Sequence, residues 1–140
     1  MGRRSLGCSI GAVVLLALGL GACGDDDDGG GVGVTLRDFA IELDDTSAPA
    51  GEVTFDVHND GPSIHEFVVF KSDLAPDALP TDDEGLVEEG ESFEPIDEIE
   101  DIADGADHEL TIDAEAGDYV LICNLPGHYA QGMAVGFTVE

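Results

Sequence analysis

From Val32 onward the chain runs in short stretches of alternating apolar and polar positions, separated by turn residues and with no long segment of helical period. In the clearest stretch, Val53, Phe55 and Val57 alternate with Glu52, Thr54, Asp56 and His58, which predicts a half-buried strand with His58 turned to solvent. The same reading predicts strands near 33–41, 52–59, 64–71, 107–113, 117–123 and 133–139. The expected fold class is all-β, a sandwich or barrel. The segment from Ser72 to Asp107 differs in character. It holds two of the six prolines close together, few aromatic residues and a dense acidic run broken by Ile96, Ile99 and Ile102. Isoleucines every three residues predict a short helical turn or an irregular flap anchored on the core. The charges around them read first as a solvated face.

Length and termini bound the rest. The 140 residues include a targeting segment, which leaves room for one domain with one core. Arg3 and Arg4 precede an apolar run from Ile10 to Leu20, which is shorter than the roughly 20 residues a membrane-spanning helix needs and gives way to Asp25–Asp28. Residues 1–22 therefore read as an export signal. The arginine pair also resembles a twin-arginine signal, although adjacent arginines are common in ordinary ones. Leu20-Gly21-Ala22-Cys23 resembles a lipobox, in which Cys23 is lipidated and becomes the first mature residue; the plainer reading is a small residue beside a cleavage point. Residues 23–32, rich in Asp and Gly, form the expected tether, and 33–140 the expected domain. The location that follows is the extracytoplasmic face of the membrane, held by the lipid.

A formal charge of -28 with four basic residues excludes a nucleic-acid footprint, which needs clustered Lys and Arg. Two readings of that charge stand side by side: steering of a basic partner, or solvation of a protein working at high salt. The cysteine count is more selective. Cys8 leaves with the signal and Cys23 carries lipid, so Cys123 is the sole free thiol of an exported domain and calls for burial or a metal.

Cys123 opens the chain's main chemical motif, CNLPGHYAQGM, where Cys123, His128 and Met133 are each separated by four residues. A thiolate, an imidazole and a thioether form most of the His2Cys-plus-Met set of a blue-copper centre. His65, in NDGPSIHEFVVF, is the natural second imidazole. Strand parity agrees: His65 shares a face with Phe67 and Val69, Cys123 with Tyr119 and Leu121, and Met133 with Val135, Phe137 and Val139. His128 alone sits in a loop and would close the site from outside. Val120 and Ile122 are apolar as well, so a bulge could reverse one face. A zinc site with the same donors stays open at this point, with Met a poor zinc ligand. His58 and His108 read as bystanders, Tyr119 as a core residue and Tyr129 as a loop-packing one.

These two motifs, NDGPSIHEFVVF and GDYVLICNLPGHYAQGM, resemble those of the cupredoxins, the blue-copper family that includes plastocyanin, azurin, auracyanin, rusticyanin and sulfocyanin. The likeness extends over Val34 to Glu140, and the loop spacing is closest to the auracyanin, rusticyanin and sulfocyanin pattern. The resemblance implies a Greek-key β-sandwich holding one copper ion that cycles between Cu(I) and Cu(II). It implies nitrogen ligands from His65 and His128, the equatorial thiolate from Cys123 and a weak axial sulfur from Met133. Family members commonly have Asn after the first histidine; here Glu66 follows His65, and Asn124 is expected to cross-link the ligand segments from the other side. Ile64 stands where azurin supplies a glycine carbonyl, so four ligands are expected rather than five.

The function implied is a monomeric, membrane-tethered carrier passing one electron between redox partners, not an enzyme. A basic partner such as a cytochrome or oxidase domain would meet the acidic surface, with Leu125, Pro126, Tyr129 and Ala130 around the loop histidine. The alternative is a lipoprotein that stores copper or delivers it to an oxidase. A multicopper enzyme would need more than the four histidines present.

Overall fold

The computed structural model describes residues 30–89, 93 and 95–140; the expected signal, the lipid site at Cys23 and the tether as far as residue 29 lie outside the described residues. The strands are β1 (Val32–Arg37), β2 (Ala40–Leu43), β3 (Ser47–Ala48), β4 (Gly51–Asn59), β5 (His65–Lys71), β6 (Pro95–Ile102), β7 (Asp107–Ala114), β8 (Gly117–Ile122) and β9 (Ala134–Val139). They form a four-stranded sheet in the order β2-β1-β4-β7 and a five-stranded sheet in the order β3-β9-β8-β5-β6. The β1–β4 and β3–β9 pairs are parallel and the others antiparallel. The result is the expected β-sandwich.

Alternation creates the interior. Val53, Phe55 and Val57 of β4 face Phe67 and Val69 of β5, Tyr119 and Leu121 of β8, and Phe137 and Val139 of β9 within one buried cluster. Phe55 links the sheets, lying edge-on to Phe67 and Phe137 at 5.4 and 5.3 Å between ring centres. That geometry suits the ring quadrupoles and adds to the burial of apolar area. Cys123 and Met133 belong to the same cluster, so two of the expected ligands are packed into the core.

Two local features in particular depart from the sequence reading. The strand expected over 33–41 is two strands, β1 and β2, joined through a turn at Asp38 and Phe39, with Phe39 held in the left-handed region at φ 65°. Leu36 and Ile41, of opposite parity, both reach the core, which one unbroken strand would not allow.

The acidic stretch contains β6, an edge strand, where a helical turn or flap was expected. His65 pairs with Ile102 and Phe67 with Ile99, so two steps along β5 oppose three along β6. The extra residue is a β-bulge, with Asp101 at φ 53°. It turns Ile99 and Ile102 both toward the core, and thereby produces a three-residue spacing within a strand. Pro95 and the carboxylates suit an edge, since neither offers a clean ladder to another chain.

The stretch from Ser72 to Glu89 does lie as a flap, across the outer face of the five-stranded sheet. Leu79 and Val87 from the flap close a second buried cluster over Val68, Phe70, Val120, Ile122 and Tyr129, and Phe93 stacks on Phe70 at 4.5 Å. Both faces of β8 are therefore dry, which explains why Val120 and Ile122 are apolar without any reversal of parity.

Candidate metal centre

The donors converge at one pole of the sandwich because β5, β8 and β9 are neighbours. His65 is the first residue of β5, Cys123 follows the last of β8, and Met133 precedes the first of β9. Antiparallel pairing brings those three strand ends together, and the Cys123 amide donates to the Met133 carbonyl at 3.1 Å as one further rung. Between them the loop folds back on itself: the His128 amide donates to Leu125 O at 3.0 Å, and His128 O accepts from the amides of Gln131 and Met133, each at 3.2 Å. Gly127 and Gly132 stand at φ 81° and 111°, which a side chain would oppose. A single 3-10 turn, Tyr129–Gln131, follows the loop histidine.

The ligand atoms of His65, Cys123 and His128 all lie within 4.8 Å of one another. Nδ1 of His65 is 3.2 Å from Nδ1 of His128, and Cys123 Sγ is 3.4 Å from the latter and 3.9 Å from the former. His65, Cys123 and Met133 are fully buried, and His128 is half-buried. Among the described residues no other His, Cys, Asp and Glu group is assembled in this way. His58 pairs instead with Asp107 on the far sheet at 2.7 Å, and His108 is exposed.

Burial favours the neutral form of both sealed donors. Burial pushes the Cys123 thiol above its ordinary range, offset only in part by backbone amides, including that of Glu66, which donates to Sγ at 3.3 Å. His65 is pushed down from its usual value, first by burial and then by the neighbouring His128, against the opposing pull of Asp38. A neutral imidazole keeps its lone pair for a metal, and a thiol gives up its proton when one binds. Soft sulfur and borderline nitrogen donors fit copper.

The link between ligand segments is made by the Glu66 amide to Cys123 Sγ, which no side-chain pattern reveals. Asn124, expected to make that link, turns the other way: its Oδ1 accepts from the Val87 amide at 2.7 Å and its Nδ2 donates to Val87 O at 3.3 Å. It ties the metal loop to the flap. Tyr129 does the same, donating to Pro76 O at 2.8 Å and accepting from the Leu79 amide at 2.9 Å.

Two further residues near the site went unread in the sequence. Asn59, fully buried, donates to Ser63 O at 2.8 Å and Ile102 O at 2.9 Å and accepts from the Gly61 amide at 3.0 Å, fixing the loop that delivers His65. Asp38 approaches His65 from the β1–β2 turn, with Oδ1 3.3 Å from Nε2. The available sequence signal for Asn59 was a polar residue at a core-parity position after Val53, Phe55 and Val57.

Comparison with known proteins agrees with this chemistry. The sequence model of a family described as copper binding proteins, plastocyanin/azurin family, matches residues 32–140. No curated protein sequence matches the chain. Among solved structures, a reduced auracyanin from the photosynthetic bacterium Roseiflexus castenholzii superposes with a TM-score of 0.56 at 23% identity, covering 77% of this chain and 94% of that one. Auracyanin A of Chloroflexus aurantiacus, a "blue" copper protein, gives 0.50 at 25% identity, covering 77% and 99%. Rusticyanin from Thiobacillus ferrooxidans gives 0.51 at 18% identity, covering 77% and 76%.

Proposed function

Since the chain belongs to the plastocyanin/azurin family of copper-binding proteins, with His65, Cys123, His128 and Met133 arranged as a type 1 copper site, we propose that it is a lipid-anchored carrier of single electrons. The copper supplies the one-electron couple. The observation that carries the reading is the unequal burial of the donors. His65 and Cys123 are sealed from solvent while His128 alone reaches toward it, with the half-exposed Phe39 ring edge-on to its imidazole at 5.6 Å.

Such a site lets an electron leave through one imidazole edge while the metal stays put. Donors held by the packed ends of three strands move little between oxidation states, which keeps reorganisation small. Burial also weighs against storage or delivery, because handing copper to an acceptor favours exposed, exchangeable ligands.

Attachment through lipid at Cys23 rests on the lipobox-like LGAC and on the acidic, glycine-rich run after it. The partner is a basic redox domain drawn by the charge of -28, docking over His128 with an association rate that falls as salt rises.

Adding Cu(II) to the purified protein and recording visible and EPR spectra tests the centre; a colourless protein that binds no copper would reject it. Fast electron self-exchange without copper loss to an acceptor apoprotein is expected of a carrier, and ready copper transfer with slow exchange would favour delivery. Replacing Cys23 by Ser should release the protein from the membrane fraction, and continued membrane retention would refute the anchor.

A further inference from the structure

The turn between β1 and β2 touches both imidazoles. Phe39 lies against His128, and the preceding residue, Asp38, brings its carboxylate to the Nε2 edge of His65, while Nδ1 is the nitrogen near Cys123 and His128. Nε2 of His65 and Oδ1 of Asp38 are both buried, and neither has a hydrogen-bond partner; at 3.3 Å each is the other's polar neighbour. A small adjustment of the carboxylate would complete the bond.

The surroundings are built to hold this approach. The Asp60 amide donates to Leu36 O at 2.9 Å, and the Arg37 guanidinium pairs with the Asp60 carboxylate at 3.0 Å, so the two residues leading into Asp38 are fastened to the 59–61 loop. Gly61 lies directly over the contact. A Cβ there would stand 3.0 Å from His65 Nε2, 3.0 Å from the Asp38 amide nitrogen and 3.1 Å from Asp38 Oδ1, closer than such atoms ordinarily approach. The absence of a side chain at position 61 is what allows carboxylate and imidazole to meet, and Asn59 pins that glycine through its amide.

We propose that Asp38 is a positioning residue for the copper centre: its carboxylate accepts the Nε2–H of His65, fixes the tautomer that leaves Nδ1 free for the metal, and by its charge favours Cu(II) over Cu(I). A histidine bound through one nitrogen carries its proton on the other, and in a dry site that proton needs an acceptor. Asp38 is the group in place to take it. The inference rests on the copper reading of the site.

Three forms of the full-length protein, wild type, Asp38→Asn and Asp38→Ala, test it. Asp38→Asn keeps an acceptor oxygen and loses the charge, so the blue band should persist while the potential rises. A tenfold shift in the ratio of Cu(II) to Cu(I) affinity would appear as about 59 mV for one electron. Asp38→Ala loses the acceptor as well, and its Cu(II) affinity should fall about 10- to 100-fold, the usual cost of removing an outer partner of a metal-bound histidine. Nitrogen-15 NMR of the metal-free protein gives a readout independent of copper. His65 should hold its proton on Nε2 in the wild type and become a mixture of tautomers in Asp38→Ala. An unchanged potential in folded Asp38→Asn together with an unchanged tautomer in Asp38→Ala would overturn the proposal. A wild type that takes up no copper would instead strike the functional reading, with the metal-free tautomer still deciding whether Asp38 orients the ring.

Discussion

Replacing Asn59 by Ala should destabilise the domain more than any single surface change and loosen the copper site with it. The side chain makes three hydrogen bonds inside the protein, to Ser63 O, Ile102 O and from the Gly61 amide, and none of its surface meets solvent. At about 1 kcal/mol net for each bond, plus about 1–2 kcal/mol for leaving the Ile102 carbonyl without a donor, the loss is about 4–5 kcal/mol. That is a large share of the roughly 5–15 kcal/mol by which a domain is stable. At about 4–8 °C per kcal/mol for a domain near 100 residues, melting should fall by about 16–40 °C. The sharper comparison is Asn59→Asp, which keeps the shape but turns two donors into acceptors facing two carbonyls. It should be worse than Ala at neutral pH and recover in acid, when the protonated carboxyl regains one donor. Thermal and urea unfolding of the metal-free protein measures both, and titration with Cu(II) should show weakened binding, since the 60–64 loop delivers His65. A drop of less than about 5 °C in Asn59→Ala, under 1 kcal/mol on the same scale, would refute the view that these bonds hold the loop.

Cys123→Ser should abolish the blue charge-transfer band while leaving the sandwich folded, as judged by far-ultraviolet circular dichroism, because the buried thiol contributes mainly apolar contact to the core. Asn124→Ala removes both hydrogen bonds to Val87 and should loosen the flap there, seen as faster proteolysis and amide exchange around 80–89; unchanged protection there would contradict the tie. The carboxyls of Glu66 and Glu98 are held above their ordinary range, in each case first by burial and then by the neighbouring acids. The folded state thus binds these protons more tightly than the unfolded chain, and this contribution to stability falls as pH rises from the ordinary carboxylate range through the raised values. Raising salt from about 0.1 M to about 1 M should recover part of the loss by shortening the Debye length from about 10 Å to about 3 Å. A melting temperature indifferent to salt at neutral pH would contradict that account.

Patterning along the chain was enough to reveal most of the alternating strands and the donors that meet at one pole. Period-two patterning decides which side chains share a face, so His65, Cys123 and Met133 could be assigned to the interior without coordinates. Tertiary structure decided what depends on breaks in that pattern and on partners remote in sequence. The bulge at Asp101 converts a spacing of three into a strand, and only the pairing of β6 with β5 makes it intelligible. Asn124 faces Val87 rather than the His65 strand because a flap with its own apolar cluster covers that side of the sheet. The approach of Asp38 to His65, admitted by the missing side chain at Gly61, joins three segments whose nearness no local propensity encodes. Short-range periodicity is written residue by residue, whereas a polar contact between loops exists only once the strands have carried those loops to one end of the sandwich.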